Sequence, residues 1–133
     1  MYRSRTITVS IRRPHREVYE FLVEPLNLPT WGSNLGSTIE HVSNNDWASE
    51  GEHGRLIFRY HPRNEYGVLD HAVFGEGETP FMVPMRVVAN GEDGAEVIYT
   101  LYQRPSMTEA EFDSEAEWVQ ADLLTLKSLL ETR

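Results

Sequence analysis

Hydrophobic and polar positions alternate strictly through "RTITVSI" near the start of the chain, with Ile7, Val9 and Ile11 on one face and Thr6, Thr8 and Ser10 on the other. That period of two predicts a half-buried first strand. The period then changes. Pro14 sits where a helix tolerates proline, at its first position, and "PHREVYEFLVE" spaces Val18, Phe21 and Leu22 along one helical face. Pro25 and Pro29 bracket "LNL" in a second short helical piece that ends at Trp31, and "GSNLG" follows as a loop.

From residue 37 to 104 strands and turns follow one another. "STIEHV" stops at Asn44-Asn45-Asp46, "RLIFRY" at His61-Pro62-Arg63-Asn64, and "YGVLDHAVF" at "GEGETP". "FMVPMRVVA" turns through "NGEDG" into "AEVIYTLYQ". Asn90-Gly91 and Asp93-Gly94 supply residues that accept positive φ, the strongest short-range hairpin signal. Successive hairpins predict an antiparallel meander. Strand–helix–strand alternation and a glycine-rich phosphate loop are both missing, which argues against a nucleotide-binding α/β fold.

The last element is the most regular. Thr108 and Glu111 have capping-box spacing, and from there Phe112, Ala116, Val119, Leu123, Leu126 and Leu130 recur at intervals of three and four. One helix is expected to run to about residue 131, on the order of 35 Å long and enough to cross a small sheet. A second apolar strip, Trp118, Ala121 and Leu129, is expected to widen its buried face.

Composition narrows the function classes. A chain of 133 residues is read as one domain, 1–133, large enough to bury a core of its own. It has no cysteine, which removes thiol catalysis, disulfide frameworks and cysteine-containing zinc sites. The N-terminal stretch lacks the apolar run of a signal peptide, and no segment reaches the ~18 apolar residues of a membrane span. The expectation is a soluble cytoplasmic protein with no membrane partner. The net charge of −9 makes the chain a poor polyanion binder, so no nucleic-acid partner is expected. Charge is unevenly placed: residues 1–16 carry five arginines and no acid, whereas residues 108–133 hold seven acids. The basic stretch reads as a solvated strand edge and helix start.

A strand, a helix pair, a long antiparallel meander and one long C-terminal helix resemble the START-like superfamily, also called the SRPBCC or Bet v 1-like group. The resemblance rests on "TITVSIRRPHREVYEFLVEPLNLPTW" at the start and "VPMRVVANGEDGAEVIYTLYQRPSMTEAEFDSEAEWVQADLLTLKSLLE" at the end. Within that group the chain looks most like the bacterial polyketide cyclase/dehydrase type. The resemblance implies an α+β helix-grip fold, in which a curved antiparallel sheet wraps around the C-terminal helix and leaves an elongated cavity for hydrophobic or aromatic small molecules. That fold has seven strands where the pattern yields six, so a seventh comes from "DWASEGEH" or is missing. Such a fold hosts carriers, receptors and cyclases alike, so the site has to decide function.

Strand parity is the tool for locating that site. His71 travels with Leu69 and Val73, while Asp70 travels with Val68, Ala72 and Phe74. The two therefore form no dyad unless the strand bulges. Assigning Phe81, Val83, Met85 and Val87 inward, with Val97, Tyr99 and Leu101, places His71 beside Met85 and Tyr99. Asp70, Arg86, Glu96 and Thr100 then form a structural polar ladder on the outer face. Pro84 implies an edge position or a bulge, and a bulge would invert the assignment of Met85 and Arg86.

The ligand-contact candidates are Trp31, Phe58, Tyr66, His71, Met85, Tyr99 and Trp118. His71 is open to three readings: a core histidine satisfied by a carbonyl or a tyrosine, a polar anchor for a ligand, or a general acid/base assisted by Tyr99. His53, His61 and His71 lie on separate elements without a metal-ligand motif, so no metal and no cofactor is expected. A small-molecule binding module leads. The alternative is a cyclase or dehydratase acting on a polyketide-like substrate, with His71 as acid/base and Arg86 or Tyr99 stabilising an enolate. The oligomer is expected to be a monomer or a homodimer.

Overall fold

The computed structural model describes residues 1–33, 38–51 and 54–133. Its strand β1 spans Ser4–Ile11, helix α1 His15–Val23 and the short helix α2 Leu28–Trp31, with a 3-10 turn at Pro25–Asn27 between the two helices. Strands β2 (Glu40–Ser43), β3 (Asp46–Gly51), β4 (Gly54–Tyr60), β5 (His71–Gly75) and β6 (Phe81–Val83) follow. Then come β7 (Met85–Asn90), β8 (Gly94–Tyr102) and α3 (Glu109–Glu131). All pairings between these strands are antiparallel.

Two ladders are formed, in the orders β2-β3-β4-β5-β6 and β1-β8-β7. Pro84 is the hinge between them. Lacking an N–H, it cannot continue a ladder, and the long predicted strand "FMVPMRVVA" divides there into β6, paired with β5, and β7, paired with β8. Parity nevertheless survives the break. Met85 and Val87 are buried and Arg86 faces outward, so Pro84 redirects the chain without adding a residue to the count.

The second joint between the ladders is the stretch before β5. "YGVLDHAVF" is not one continuous strand: residues 67–69 lie along β7 and only His71–Gly75 lies along β4. Leu69 N donates to Met85 O at 2.9 Å, and Val87 N donates to Gly67 O at 2.9 Å. Gly67 is obligatory here. Its φ is +72°, and a Cβ at that position would stand 2.1 Å from Val87 O. Asn64 fixes the loop beneath, its Oδ1 accepting from Tyr66 N and Val68 N and its Nδ2 donating to Val68 O.

The seventh strand exists. Asp46–Gly51 pairs with β2 on one side and β4 on the other, despite glycine at its end, because the turn before it is made by Asn44 at φ 48° and Ala48 and Ser49 bury against the sheet.

Helix α3 begins with the reciprocal capping box expected of Thr108 and Glu111: Glu111 N donates to Thr108 Oγ1 at 3.1 Å and Thr108 N to Glu111 Oε1 at 2.9 Å. Phe112, Leu123, Leu126 and Leu130 are fully buried against Ile7, Val9 and Ile11 of β1, Val97 and Leu101 of β8, and Val18, Phe21 and Leu22 of α1. The expected second strip does not form. Trp118 and Ala121 are exposed, and only Leu129 packs, because the sheet meets a single stripe of this helix.

The charge asymmetry has a local explanation. Arg3, just before β1, and Arg5 within it pair with Glu109 and Asp113 of α3, and the Arg5 guanidinium lies 4.6 Å from the Phe112 ring centre. Lys127 pairs with Glu131 at 2.7 Å, and Glu131 also accepts from Arg12 N. The basic strand and the acidic helix face each other. No helix among the described residues is long and apolar enough to cross a membrane.

Candidate functional site

Six elements converge between the sheet and the long helix: the end of α2, the inward faces of β4, β5, β7 and β8, and the middle of α3. They leave a cavity of two lobes that share Leu28, Trp31, Phe58 and His71. One lobe, about 50 Å3, is closed by Leu22, Tyr60, Leu69 and Met85. The other, about 130 Å3, reaches Val73, Tyr99, Val119, Asp122 and Leu123. The walls are aliphatic and aromatic, with a few polar groups set into them.

His71 is the polar centre. It opens β5, opposite Tyr60 of β4 and Val83 of β6, which turns its side chain to the same face as Leu69. Its Nδ1 lies 3.0 Å from Leu69 O. A carbonyl only accepts, so Nδ1 carries the proton and, in the neutral ring, Nε2 is an acceptor. Burial pushes the His71 pKa below its ordinary 6.5, outweighing the Leu69 carbonyl and the charge of Asp70, which both raise it. The ring is therefore neutral at neutral pH, and Nε2 has no protein partner among the described residues. Two tyrosines flank it, Tyr60 with ring centres 6.2 Å apart and Tyr99 at 6.1 Å. Burial raises both phenol pKa values, so both hydroxyls stay protonated, and neither has a protein partner among the described residues.

Asp122 is the remaining polar group. Its Oδ2 accepts from Ser33 N at 3.2 Å. Burial raises its pKa, while hydrogen bonds from the Ser33 backbone and side chain pull the other way. Ser33 Oγ also accepts from the Trp118 indole N–H, so the chain leaving α2 is tied to α3 at two points.

Of the sequence candidates, Trp31, Phe58, His71, Met85 and Tyr99 come together around this cavity. Tyr66 and Trp118 do not. Tyr66 is 81% exposed, because residues 65 and 66 form a bend ahead of the stretch that pairs with β7. Trp118 is 39% exposed and lines an outer groove with Arg104, Met107 and Glu115.

The polar ladder divides in two. Asp70 accepts from Arg86 Nη1 and from Met85 N, the latter at 2.8 Å, which fastens β5 to β7. Glu96 does not join them: it accepts from Ser10 Oγ at 2.7 Å and Asn90 Nδ2 at 2.8 Å, and these bonds lower its pKa. Thr100 N donates to Pro84 O at 3.0 Å. Arg86, bonded to Asp70 and to its neighbour's carbonyl, is turned away from the cavity. His53 lies outside the described residues.

Sequence reasoning missed Tyr60 and Asp122. Tyr60 was readable as the residue two after Phe58, hence on the same strand face. Asp122 follows Val119 by three, so it falls on the apolar stripe of the helix where an acid is out of place.

No family model matches the chain, and no curated protein matches it by sequence. Solved structures do match it. A START superfamily protein from Mycobacterium smegmatis superposes with a TM-score of 0.76 at 11% identity, covering 97% of this chain and 97% of its own. Ara h 8.0201 gives 0.72 at 10% identity over the full length of both chains. The di-domain ARO/CYC BexL from the BE-7585A biosynthetic pathway gives 0.75 at 14% identity, covering 97% of this chain and 46% of BexL. These superpositions over nearly the whole chain show that it has the START-like, or Bet v 1-like, fold.

Proposed function

We propose that the protein binds a small hydrophobic or aromatic molecule between the sheet and α3, with His71 as its polar anchor. The observation that carries this reading is His71 Nε2, an acceptor set in an apolar cavity between two tyrosine rings, which has no protein partner among the described residues, as the two phenol hydroxyls have none. All three reach the surface of the cavity, where a bound ligand hydroxyl or carbonyl would pair them in place of water. Trp31, Phe58, Leu28 and Met85 supply the apolar contacts.

Size restricts the ligand. An apolar cavity of about 150 Å3 accepts a benzene ring, whereas drug-sized ligands occupy roughly 300–1,000 Å3. The lobes here, about 50 and 130 Å3, are of the smaller scale: the larger suits one ring, and a second fits only where both lobes are filled.

A thermal-shift screen tests the proposal, with phenols, naphthols, flavonoids, fatty acids and sterols run against the wild type and His71→Ala. A ligand at about 100 times its Kd stabilises by roughly 2.7 kcal/mol, close to 10 °C for a domain of this size. Small aromatics that stabilise the wild type and lose that effect in His71→Ala support the reading; an empty screen refutes it.

A second reading uses the same imidazole. A neutral histidine with Nε2 free is what a general base requires, Tyr99 can donate to an enolate oxygen, and the ARO/CYC neighbour shares the fold. Binding ranks ahead because a polyketide-like substrate of several rings exceeds the two lobes. Incubation of each stabilising ligand with wild type, followed by mass spectrometry, decides: a new product absent with His71→Ala selects catalysis.

A further inference from the structure

The polar atoms of the cavity have a shared character. His71 Nε2 accepts. Asp122 is a carboxylate whose hydrogen-bond partners are both on Ser33, and it has no cationic partner among the described residues. Tyr60 and Tyr99 are neutral hydroxyls. Among the described residues that line either lobe there is no lysine or arginine. Arg104, whose charge reaches Tyr99, is engaged with Glu115 at 3.3 Å.

We propose that the cavity selects neutral, hydroxyl-bearing aromatic molecules of one or two rings and rejects carboxylates, and that Asp122 is the residue that rejects them. The inference rests on the binding role proposed above and gives that ligand its chemical class. A phenolic O–H can donate to His71 Nε2 while its oxygen accepts from Tyr60 or Tyr99, so each unpaired group gains a partner of the right polarity. A ligand carboxylate offers no donor to Nε2. It would also surrender part of its hydration in a cavity without a cation to replace it, and would meet the like charge of Asp122.

The placement of Asp122 supports a selective role over a purely structural one. The Ser33 N–H and hydroxyl would be satisfied equally by an asparagine or by water, since Ser33 is exposed. An ionised group half-buried on the inward stripe of α3, between Val119 and Leu123, carries a desolvation cost that this hydrogen bonding does not require. The charge itself has an effect on what enters, which an amide would not have.

The test uses three ligands of one shape. Binding of 2-naphthol, 2-naphthamide and 2-naphthoate to the wild-type protein is measured by isothermal titration calorimetry at about pH 8, where the naphthoate and Asp122 are ionised. Naphthol and the amide are expected to bind, and naphthoate to bind roughly 30-fold or more weakly, since its charge is buried unpaired. Asp122→Asn, which keeps an acceptor for Ser33, is expected to shrink that gap to a few-fold.

Naphthoate binding the wild type within about three-fold of naphthol overturns the selectivity and leaves the binding role standing. An unchanged gap in a folded Asp122→Asn protein removes Asp122 as its cause. If neither neutral ligand binds the wild type, the binding role itself falls. Should Asp122→Asn fail to fold, the wild-type comparison of amide against carboxylate still decides whether charge is what the cavity rejects.

Discussion

Gly67 is where the fold and the candidate site depend on one backbone contact, and substituting alanine there has a computable cost. At φ +72° an L-residue carries a penalty of about 1–2 kcal/mol. The added Cβ would also stand 2.1 Å from Val87 O. Relief requires residues 67–69 to draw back from β7, and the hydrogen bonds from Val87 N to Gly67 O and from Leu69 N to Met85 O then lengthen or break, at about 1 kcal/mol each.

Gly67→Ala is therefore expected to destabilise by about 3–4 kcal/mol, a fall in Tm of roughly 12–16 °C at about 4 °C per kcal/mol. Gly77→Ala is the control. Its φ of +84° is equally unfavourable, but no atom lies within 4 Å of the new Cβ, so only the conformational penalty applies, about 1–2 kcal/mol. Because Leu69 O holds Nδ1 of His71, Gly67→Ala should also weaken ligand binding, whereas Gly77→Ala should not. Thermal and urea denaturation of the two variants side by side measure the difference. Equal losses would show that residues 67–69 do not approach β7 closely, and the account of how His71 is positioned would fail with them.

Three further outcomes follow from the same structure. Leu123→Ala removes a fully buried side chain that lines the larger lobe; urea denaturation should give a loss of about 2–5 kcal/mol, while ligands one ring larger gain affinity in calorimetry. Asp70→Asn keeps an acceptor for Met85 N but loses the charge opposite Arg86, a pair whose side chains are 23% and 41% exposed; solvent screening limits the loss to about 0.5–1 kcal/mol, and ligand affinity should stay as in the wild type. His71 has a folded pKa below its ordinary 6.5, so as pH falls through that value the unfolded chain takes up a proton that the folded one refuses. Its contribution to stability is therefore lost progressively from about pH 6.5 down to the folded pKa, and stability curves of His71→Phe should be flatter across that window than those of the wild type.

Much of this was legible in the sequence wherever one periodicity held over several residues. The alternation of β1, the capping box and the stripe of α3 each rest on local chemistry that tertiary packing reinforces. The division of "YGVLDHAVF" was not legible, because residues 67–69 and 71–75 pair with different partners, and a change of partner leaves the alternation of side chains intact. Tyr66 was misplaced because the bend at residues 65 and 66 cuts it off from the strand whose alternation it continues. Trp118 was misplaced because an aromatic next to a buried stripe is apolar in pattern yet lies a full 100° round the helix from Val119. The seventh strand was obscured by its glycines, whose effect on strand propensity is overridden by pairing on both edges. His71, Met85 and Tyr99 were readable as neighbours because parity carries through Pro84. Asp122 belongs to a helix, whose contacts with a distant sheet are set by packing and leave no mark in strand parity.

The central claim, that His71 presents an unpaired acceptor to a ligand, is open to direct observation by nitrogen-15 NMR of the imidazole rings. The free protein at neutral pH should show His71 with the proton on Nδ1 and a bare Nε2, and titration with 2-naphthol should shift the Nε2 resonance toward that of a hydrogen-bonded acceptor, saturably and together with the Trp31 indole signal. A His71 ring protonated on Nε2, or an Nε2 resonance that stays fixed while naphthol binds, would contradict it.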